Sequence, residues 1–297
     1  MLDSRMETFL AVCRHLSYTR AARELYITQP AVTQHIRFLE THFGCRLFVY
    51  EHRKLRLTPE GELLYRYGRD ARATGELVRQ QMAALSGGKP ELRLGATLTI
   101  GEFTLAPVLS PFMEAFSSHS ITLYVDNTRE MLSMLESGTI HFALVEGLFN
   151  REHYHSRLLK MAEFVLVVPS GHRLLSLPRV LLKDLRQEQL ILREPGSGSR
   201  EVLQQALYYR NLTLDFFPRR MEIGNVSLIK HLVRCGSGIS FMYRDALTDP
   251  DTSAGLCVVP VEGFSILREF NFVHLNTSLA TEFCDPFYLF FREALQT

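Results

Sequence analysis

The feature that most constrains the fold is the stretch at residues 17–48, where two short runs of helical periodicity are separated by a break of only two residues. Tyr26 and Ile27 form this break, which has room only for a turn. The first run has a small apolar face, made by Ala21, Ala22 and Leu25. Two alanines on one helix let a second helix cross it at close range, so this stretch predicts a helix-turn-helix.

Capping residues mark the ends of both helices. Ser17 or Thr19 can cap the first helix, and Thr28 can cap the second. Pro30 falls in the first turn of the second helix, where its missing N–H costs nothing, and Gly44 predicts the end of that helix. We expect an inward-facing stripe on the second helix at Val32, Ile36, Leu39 and Phe43.

The opposite face of the second helix carries side chains suited to base edges and phosphates, namely Gln29, Thr33, Gln34 and Arg37. A short β-hairpin is predicted next by Val49, Leu55 and Leu57, and it carries Arg53, Lys54 and Arg56. Spacing alone leaves two interpretations open. One is a helical hairpin followed by a solvated charge run, and the other is a winged helix-turn-helix whose wing lies against phosphates.

Residues 6–61 resemble the N-terminal domain of the LysR-type transcriptional regulators, which favours the DNA-binding interpretation. The matching positions are Phe9, Ala11, Val12, Ser17, Ala21, Ala22, Leu25, Thr28, Gln29, Pro30, Ala31, Val32, Thr33, Ile36, Leu39, Glu40, Gly44, Leu47, Phe48, Leu57, Thr58 and Gly61. The resemblance implies that double-stranded promoter DNA is contacted by Thr28, Gln29, Pro30, Thr33, Gln34, Arg37, Arg53, Lys54 and Arg56. The family usually has Arg where this chain has Tyr50, so that backbone contact is not carried over.

Charge is divided unevenly along the chain. Residues 1–90 hold 14 Lys and Arg against 9 Asp and Glu, whereas residues 91–297 hold 19 against 23. A basic front and an acidic back are typical of a DNA-binding head on a sensing body. The excess of positive charge in residues 1–90 is only 14 − 9 = 5. Each neutralised phosphate adds about 0.9 to the salt slope of binding, so one head with so few cations should bind DNA weakly, which favours a dimer or tetramer.

A long third helix is predicted to begin at Thr58, its cap, and Pro59. A stripe with two polar members then recurs at spacings of three and four, at Leu64, Tyr67, Ala71, Thr74, Val78, Gln81 and Leu85. This spacing predicts a coiled-coil seam through which the linker helix pairs with a second subunit. The alternative is a helix packed on its own domain. Residues 86–90, SGGKP, predict a hinge after the helix.

Beyond the hinge, apolar strands alternate with amphipathic helices, which indicates an α/β body with parallel sheets covered on both faces. This half also resembles the LysR-type family, whose effector domain is similar to a periplasmic binding protein with two lobes and two crossover strands. We expect a winged helix-turn-helix at residues 1–58, a linker helix and hinge at 59–90 and an effector-binding domain at 91–297. Within that domain, lobe I is expected at 91–161 and 265–297, and lobe II at 162–264.

Ligands of open α/β folds bind beyond the carboxyl ends of the strands, and residues 95–102, 193–201 and 223–230 occupy such places. Their glycines, hydroxyls and helix N-termini favour an anion. The candidate effector-binding residues are Thr97, Thr99, Glu146, Ser197, Ser199, Arg200 and Asn225. For Thr99 and Asn225, a role as helix cap is an equal alternative. Similarity of the first two stretches to sulfur-assimilation regulators implies a small anion or carboxylate, such as a sulfur oxyanion or related metabolite, and RNA polymerase is a further candidate partner.

The sequence carries no catalytic constellation: it has no Gly-x-Ser-x-Gly elbow, and His153 and His155 lack further ligands at metal spacing. The five cysteines are scattered without CxxC spacing, which favours a reduced cytoplasmic protein. Neither a signal-peptide pattern nor an apolar stretch of membrane-spanning length is present. We therefore expect no enzyme activity, cofactor, metal or membrane contact. The open alternatives are a constitutive DNA-binding protein with a non-sensing body and a ligand-processing enzyme with a DNA-binding appendage.

Overall fold

The N-terminal head consists of three helices and a two-stranded hairpin. The computed structural model describes residues 3–151 and 154–295. The elements of the head are α1 Ser4–His15, α2 Tyr18–Glu24, α3 Gln29–Phe43, β1 Phe48–Glu51 and β2 Lys54–Leu57. The helix-turn-helix is confirmed with its caps, because the side chains of Ser17 and Thr28 accept hydrogen bonds from the first turns of α2 and α3. Gly44 ends α3 with a φ of 67°.

One apolar core holds the head together. The buried faces of α1, α2 and α3 meet there with Leu47, Phe48 and Leu55 of the hairpin region. Three members of the predicted α3 stripe are buried, but the prediction for Phe43 is wrong, since 49% of this residue is exposed. Phe43 is the last residue of α3 and is not covered by the core of the head, and its ring contacts His42 edge to face, with the ring centroids 4.9 Å apart.

The linker helix α4, Pro59–Leu85, has the predicted cap at Thr58 and a length of 27 residues. Its buried side chains include Leu64, which packs into the core of the head. The prediction that Leu64 belongs to a seam for a second subunit is therefore wrong. The exposed large apolar side chains of α4 are Leu63, Tyr67, Val78, Met82 and Leu85. We call these five residues the α4 stripe. It retains Tyr67, Val78 and Leu85 of the predicted seam.

Two α/β lobes follow the hinge. The elements begin with β3 Glu91–Thr97, a π-helical turn at Ile100–Thr104, α5 Ala106–Ala115, β4 Ser120–Asp126, α6 Thr128–Ser137, β5 Phe142–Glu146 and β6 Tyr154–Pro169. They continue with β7 Val180–Leu181, β8 Gln189–Leu192, α7 Gly198–Tyr208, β9 Arg219–Glu222, α8 Val226–Arg234 and β10 Ser240–Tyr243. The last elements are α9 Pro250–Ser253, β11 Leu256–Val259, β12 Val261–Glu262, β13 Ile266–Leu275 and α10 Ser278–Ala294.

The main sheet has the strand order β10-β6-β13-β5-β3-β4, and β11 also pairs with β6. As expected, β3 is parallel to β4 and β5, and β8 is parallel to β9. β7 is also parallel to β12. The expectation of parallel sheets is wrong for the pairs made by β6 and β13, because β13 is antiparallel to β5 and β6, and β6 is antiparallel to β10 and β11. The reason is that β6 and β13 are the two crossover strands and run in opposite directions. The proposed lobe border at 161/162 falls inside β6, and the border at 264/265 falls just before β13.

Glu136 of α6 fastens the linker helix to lobe I. Its carboxylate accepts hydrogen bonds from the Tyr65 hydroxyl at 3.1 Å and the Tyr154 hydroxyl at 2.6 Å. The guanidinium of Arg69, which also contacts Asp70, lies 3.3 Å from the same carboxylate. The linker helix and lobe I are therefore joined by a partly buried polar cluster. None of the described helices combines the length and the apolar character that crossing a bilayer requires.

Candidate functional site

The side chains predicted to read DNA lie on one side of the head. The exposed members on α3 are Gln29, Pro30, Gln34 and Arg37. Thr33 is half-buried, and its hydroxyl donates to the Gln29 carbonyl at 3.2 Å while the Gln29 amide donates to Thr33 Oγ1 at 3.1 Å. Thr28 accepts the Ala31 N–H at 3.3 Å, so its side chain serves the helix end. The structure thus leaves the amides of Gln29 and Gln34 in reach of a ligand.

A cleft of about 500 Å³ lies between the start of α3 and the wing. Its lining brings together Gln29 with Tyr50, Arg53, Lys54 and Arg56, and residues 16–19 and Leu55 complete it. Arg37 lies outside this cleft and lines a second one of about 540 Å³ with Arg46. Three cations and a recognition-helix amide therefore face one open space, an arrangement that suits a polyanion whose bases are also accessible.

The wing is shaped by a tight turn. His52 and Arg53 have φ angles of 48° and 63°, which places the Arg53 side chain at the tip of the hairpin. Arg56 lies 3.3 Å from Glu51 across the two strands, and both side chains remain exposed. Tyr50, at the position where Arg is usual in the resembling family, is 72% exposed and lines the cleft. A phenol hydroxyl is thus available there in place of a guanidinium.

A small cavity lies where lobe I meets lobe II. It is lined by Thr99, Arg193, Ser199, Val226, Ile229, Ser240, Phe241, Met242 and Tyr243. Its volume is about 10 Å³, roughly the space for one water molecule. Two of the predicted effector-binding residues, Thr99 and Ser199, lie in this lining. Arg193, Ser240 and Tyr243 were missed, and of these only Arg193 had a signal in the sequence, since it opens the glycine- and serine-rich stretch 193–201.

Thr97 and Glu146 lie at the ends of the adjacent strands β3 and β5, and each is 1% exposed. Thr97 Oγ1, Glu146 Oε2 and the Tyr243 hydroxyl have no hydrogen-bond partner among the described residues. Burial raises the pKa of Glu146 to about 7, although Arg193 and the Thr99 hydroxyl act in the opposite direction. Burial, with the negative charge of Glu146 nearby, also raises the pKa of Tyr243 well above its usual value. Unpartnered buried oxygens next to a cavity are typical of a ligand or water site.

The N-terminus of α7 borders the cavity. Ser197, the residue before the helix, does not cap it with its side chain, and its hydroxyl instead lies 2.9 Å from the Ser199 hydroxyl. Both serines are buried. The first N–H groups of a helix have no partner within the helix and attract anions, so this end of the site favours negative charge.

Two predicted effector-binding residues are engaged elsewhere. Arg200 lies 2.7 Å from Glu222 of β9 and donates to the Arg193 carbonyl at 3.0 Å, and it does not line the cavity. Asn225 is exposed, and its side chain accepts the Leu228 N–H at 2.7 Å as the cap of α8. The structure therefore places Thr99 and Ser199 in the cavity lining, with Glu146 next to Thr99, Ser197 next to Ser199 and Thr97 at the end of the strand beside β5, whereas Arg200 and Asn225 are engaged elsewhere.

The lobes touch backbone to backbone beside the cavity. A Cβ added to Gly147, after β5, would overlap the Cα of Gly198 at the start of α7. A Cβ on Gly198 would lie 2.7 Å from Thr128 Oγ1. The Arg129 N–H also donates to the Gly196 carbonyl at 3.4 Å. This contact closes the interlobe space, so a ligand larger than water enters only if the lobes move apart.

Within residues 3–151 and 154–295, no group of His, Cys, Asp and Glu side chains is arranged to hold a metal ion. His155 lies 3.1 Å from His274 across the crossover strands, whereas His153 is outside the described residues. All five cysteines are free thiols.

A winged helix-turn-helix, a linker helix and a two-lobed body with an interlobe cavity define a ligand-responsive DNA-binding regulator. Residues 4–62 match the model of the bacterial regulatory helix-turn-helix protein of the lysR family, and residues 86–296 match the LysR substrate binding domain. The chain belongs to the LysR-type family of transcriptional regulators. It is a sequence-specific DNA-binding regulator controlled by a small-molecule effector, and its relatives are named as regulators rather than enzymes.

Curated relatives match along nearly the whole chain. CbbR of Rhodospirillum rubrum is 30% identical, with 99% of this chain and 96% of that protein covered. CysL of Bacillus subtilis is 27% identical, with 91% and 89% covered. Among solved structures, a mutant of Corynebacterium glutamicum OxyR with bound H2O2 has a TM-score of 0.62 at 21% identity and covers 99% of this chain and 92% of its own. The regulatory domain of Synechocystis CcmR with 2-PG has a TM-score of 0.59 at 20% identity and covers 67% and 96%. These structures share the fold.

Proposed function

We propose that the head reads its operator with α3 in the major groove and with the wing against the neighbouring backbone. The observation that carries this proposal is the cleft in which Gln29 faces Arg53, Lys54 and Arg56. Amide side chains such as Gln29 and Gln34 pair with base edges, and Thr33 and Arg37 extend the contact along the helix. The wing cations supply affinity that does not depend on sequence.

The α4 stripe supports a homodimer formed through the linker helices. Leu63, Tyr67, Val78, Met82 and Leu85 are exposed apolar side chains on one helix, and pairing with a second copy would remove them from water. Two heads on one dimer would read two half-sites of an interrupted palindrome. Promoter-bound protein would then have RNA polymerase as its further partner.

The effector that we propose is a small anion or carboxylate bound between the lobes. The uncapped N-terminus of α7 and the hydroxyls of Ser197 and Ser199 favour its negative group. Thr97 and Thr99 would contact it from lobe I, while Arg200 and Asn225 would only support the site. Binding would part Gly147 from Gly198, and a ligand that prefers the parted lobes shifts the placement of the heads.

Selection of binding sites from a random DNA pool tests the DNA-binding part of this proposal. We expect an enriched interrupted palindrome, and mapping in the source cell should find it at discrete promoters. Enrichment of no motif would contradict the assignment of α3 as a reading helix and would leave a non-specific DNA module.

Thermal unfolding with added anions tests the effector part. An anion present at about 100 times its Kd stabilises the protein by about 2.7 kcal/mol, which is readily seen as a shift in Tm. Sulfate, phosphate and short carboxylic acids are the probes. Ser199→Ala should reduce the shift, whereas Ser118→Ala, at an exposed loop serine, should not. Equal shifts in all three proteins would place the anion elsewhere and favour a body that does not sense.

A further inference from the structure

Glu146 is an unexpected residue at a site for anions. It ends β5, is 1% exposed, and its Oε2 has no hydrogen-bond partner among the described residues. A carboxylate in such a place is unfavourable unless a positive group or several donors compensate it. A bare oxyanion in the adjacent cavity would make this situation worse.

The cations around Glu146 are already committed to other carboxylates. Arg193 comes near enough to lower the pKa of Glu146, but its guanidinium holds Glu194 by two hydrogen bonds of 2.8 and 2.9 Å. Lys160 forms an ion pair with Asp245, whose own charge acts against ionisation of Glu146. Glu146 thus shares its nearest cation, Arg193, with Glu194, and its Oε2 still lacks a hydrogen-bond partner among the described residues.

Two further unpartnered buried oxygens lie on the elements that carry or face Glu146, one on each lobe. Thr97 Oγ1 comes from β3 in lobe I, and the Tyr243 hydroxyl comes from β10 in lobe II and lines the cavity. Together with Glu146 Oε2 they are three buried oxygens that can accept hydrogen bonds. An ammonium group offers three N–H donors and a positive charge, which matches this set in number and in sign.

We propose that the effector is a small zwitterion, an α-amino acid or a close derivative, whose carboxylate binds at the N-terminus of α7 and whose ammonium group binds Glu146. This inference rests on the proposed interlobe site and narrows its ligand class. The uncapped helix end with Ser197 and Ser199 supplies the anion-binding half. Glu146 supplies the cation-binding half. A sulfur oxyanion or a simple carboxylic acid has no positive group and would leave Glu146 without a partner for its charge.

The protonation of Glu146 gives this inference a pH signature. The charged and titratable groups that face it are Arg193, Asp245 and Tyr243, and burial raises its pKa to about 7. Below this pH the carboxyl is mostly neutral and attracts an ammonium weakly. Binding of an amino acid should therefore tighten as the pH rises from about 6 to about 8, while binding of a simple acid should weaken.

Titration calorimetry on the full-length protein at both pH values tests the inference. The probes are the standard amino acids, the des-amino acid and the α-amide of each one that binds, and inorganic sulfate. We expect at least one amino acid to bind, with each of its two truncated analogues weaker by about tenfold or more. Glu146→Gln should weaken that amino acid by at least about tenfold and remove the pH dependence. Glu262→Gln, at an exposed carboxylate paired with Arg179, is the matched control.

Opposite outcomes separate the inference from the proposed function. If sulfate or a des-amino acid binds more tightly than any amino acid and loses affinity in Ser199→Ala, the anion site stands and the zwitterion is wrong. If no amino acid binds, or if Glu146→Gln binds it as wild type does, the zwitterion is also wrong. If neither anions nor amino acids bind, the interlobe site itself fails. Thr97→Val, which removes one acceptor at constant shape, replaces Glu146→Gln if that variant does not fold, and wild-type affinity in it would overturn the inference.

Discussion

The two binding regions of this chain differ in where their polar side chains lie. On the head, Gln34, Arg37 and Arg53 are exposed, and the cleft between helix and wing is open. Between the lobes, Glu146 and Ser199 are buried around a cavity of about 10 Å³. The head is therefore a surface ready to bind, whereas the interlobe site must open before it can bind.

This difference determines how each region should respond to mutation. Exposed contacts to DNA act nearly independently, and a single loss removes one increment of affinity. Groups in the interlobe site share one small space and one lobe contact, so a single change alters the whole site and the stability of the body. The largest effects are expected at the lobe contact and the smallest on the wing.

Gly147→Ala should have the largest effect. Gly147 has a φ of 96°, which side chains rarely adopt, and the new Cβ would overlap the backbone of Gly198. Backbone strain and overpacking together should destabilise the body by roughly 2–4 kcal/mol, measured by denaturant or thermal unfolding. Gly171→Ala is the matched control, because Gly171 has a φ of 80° but nothing within 4 Å of an added Cβ. Equal losses in the two variants would mean that the lobes are not in contact in solution.

Local signals made most of the head predictable from its sequence. Thr28, Pro30 and Gly44 fix the ends of α3, and the wing and linker helix follow from equally local patterns. The errors at Phe43 and Leu64 have one cause: periodicity gives the spacing of apolar residues along a helix, not which neighbour covers each one. Leu64 is covered by the core of the head, and Phe43, at the end of α3, is left half exposed.

The interlobe site was less predictable, because contacts between residues distant in sequence determine which side chains face the cavity. Arg193 and Arg200 stand seven positions apart in one stretch, and only the position of Glu222 on β9 explains why Arg200 is directed away from the cavity. Tyr243 is the last residue of the short strand β10 and has no local motif. The role of Asn225 could not be predicted, because an Asn that caps a helix and an Asn that contacts a ligand at a helix N-terminus have the same sequence pattern. The structure shows the cap.

Glu136→Ala tests whether the two regions are mechanically joined. It would remove the acceptor of the Tyr65 and Tyr154 hydroxyls and leave the buried Arg69 with Asp70. We expect a loss of about 2–3 kcal/mol, as for hydrogen bonds to a charged group, and faster proteolysis in the hinge at residues 86–90. Glu114→Ala, at an exposed position of α5, should change neither. Unchanged proteolysis in Glu136→Ala would show that the head and lobe I are coupled by other contacts.

Gln34→Ala should have an effect on specificity alone. The side chain is exposed on α3, so folding stability should not change. Loss of one base contact should cost about 1–2 kcal/mol on the selected operator and almost nothing on unrelated DNA. Competition binding with both DNAs measures the ratio. A variant that kept its operator preference would show that α3 does not read bases at this position.

Arg53→Ala should have the smallest effect and one of a different kind. Arg53 lies at the tip of the wing, at a φ of 63°, and lines the cleft with the other wing cations. If it neutralises one phosphate, its removal should lower the slope of log K against log salt by about 0.9 per head and weaken operator and unrelated DNA alike. Glu51→Ala is the informative companion, because it would free Arg56 from its partner at 3.3 Å and should raise affinity slightly at low salt. An Arg53→Ala variant that lost operator binding but kept its salt slope would instead place the wing in a groove, as a reader of sequence.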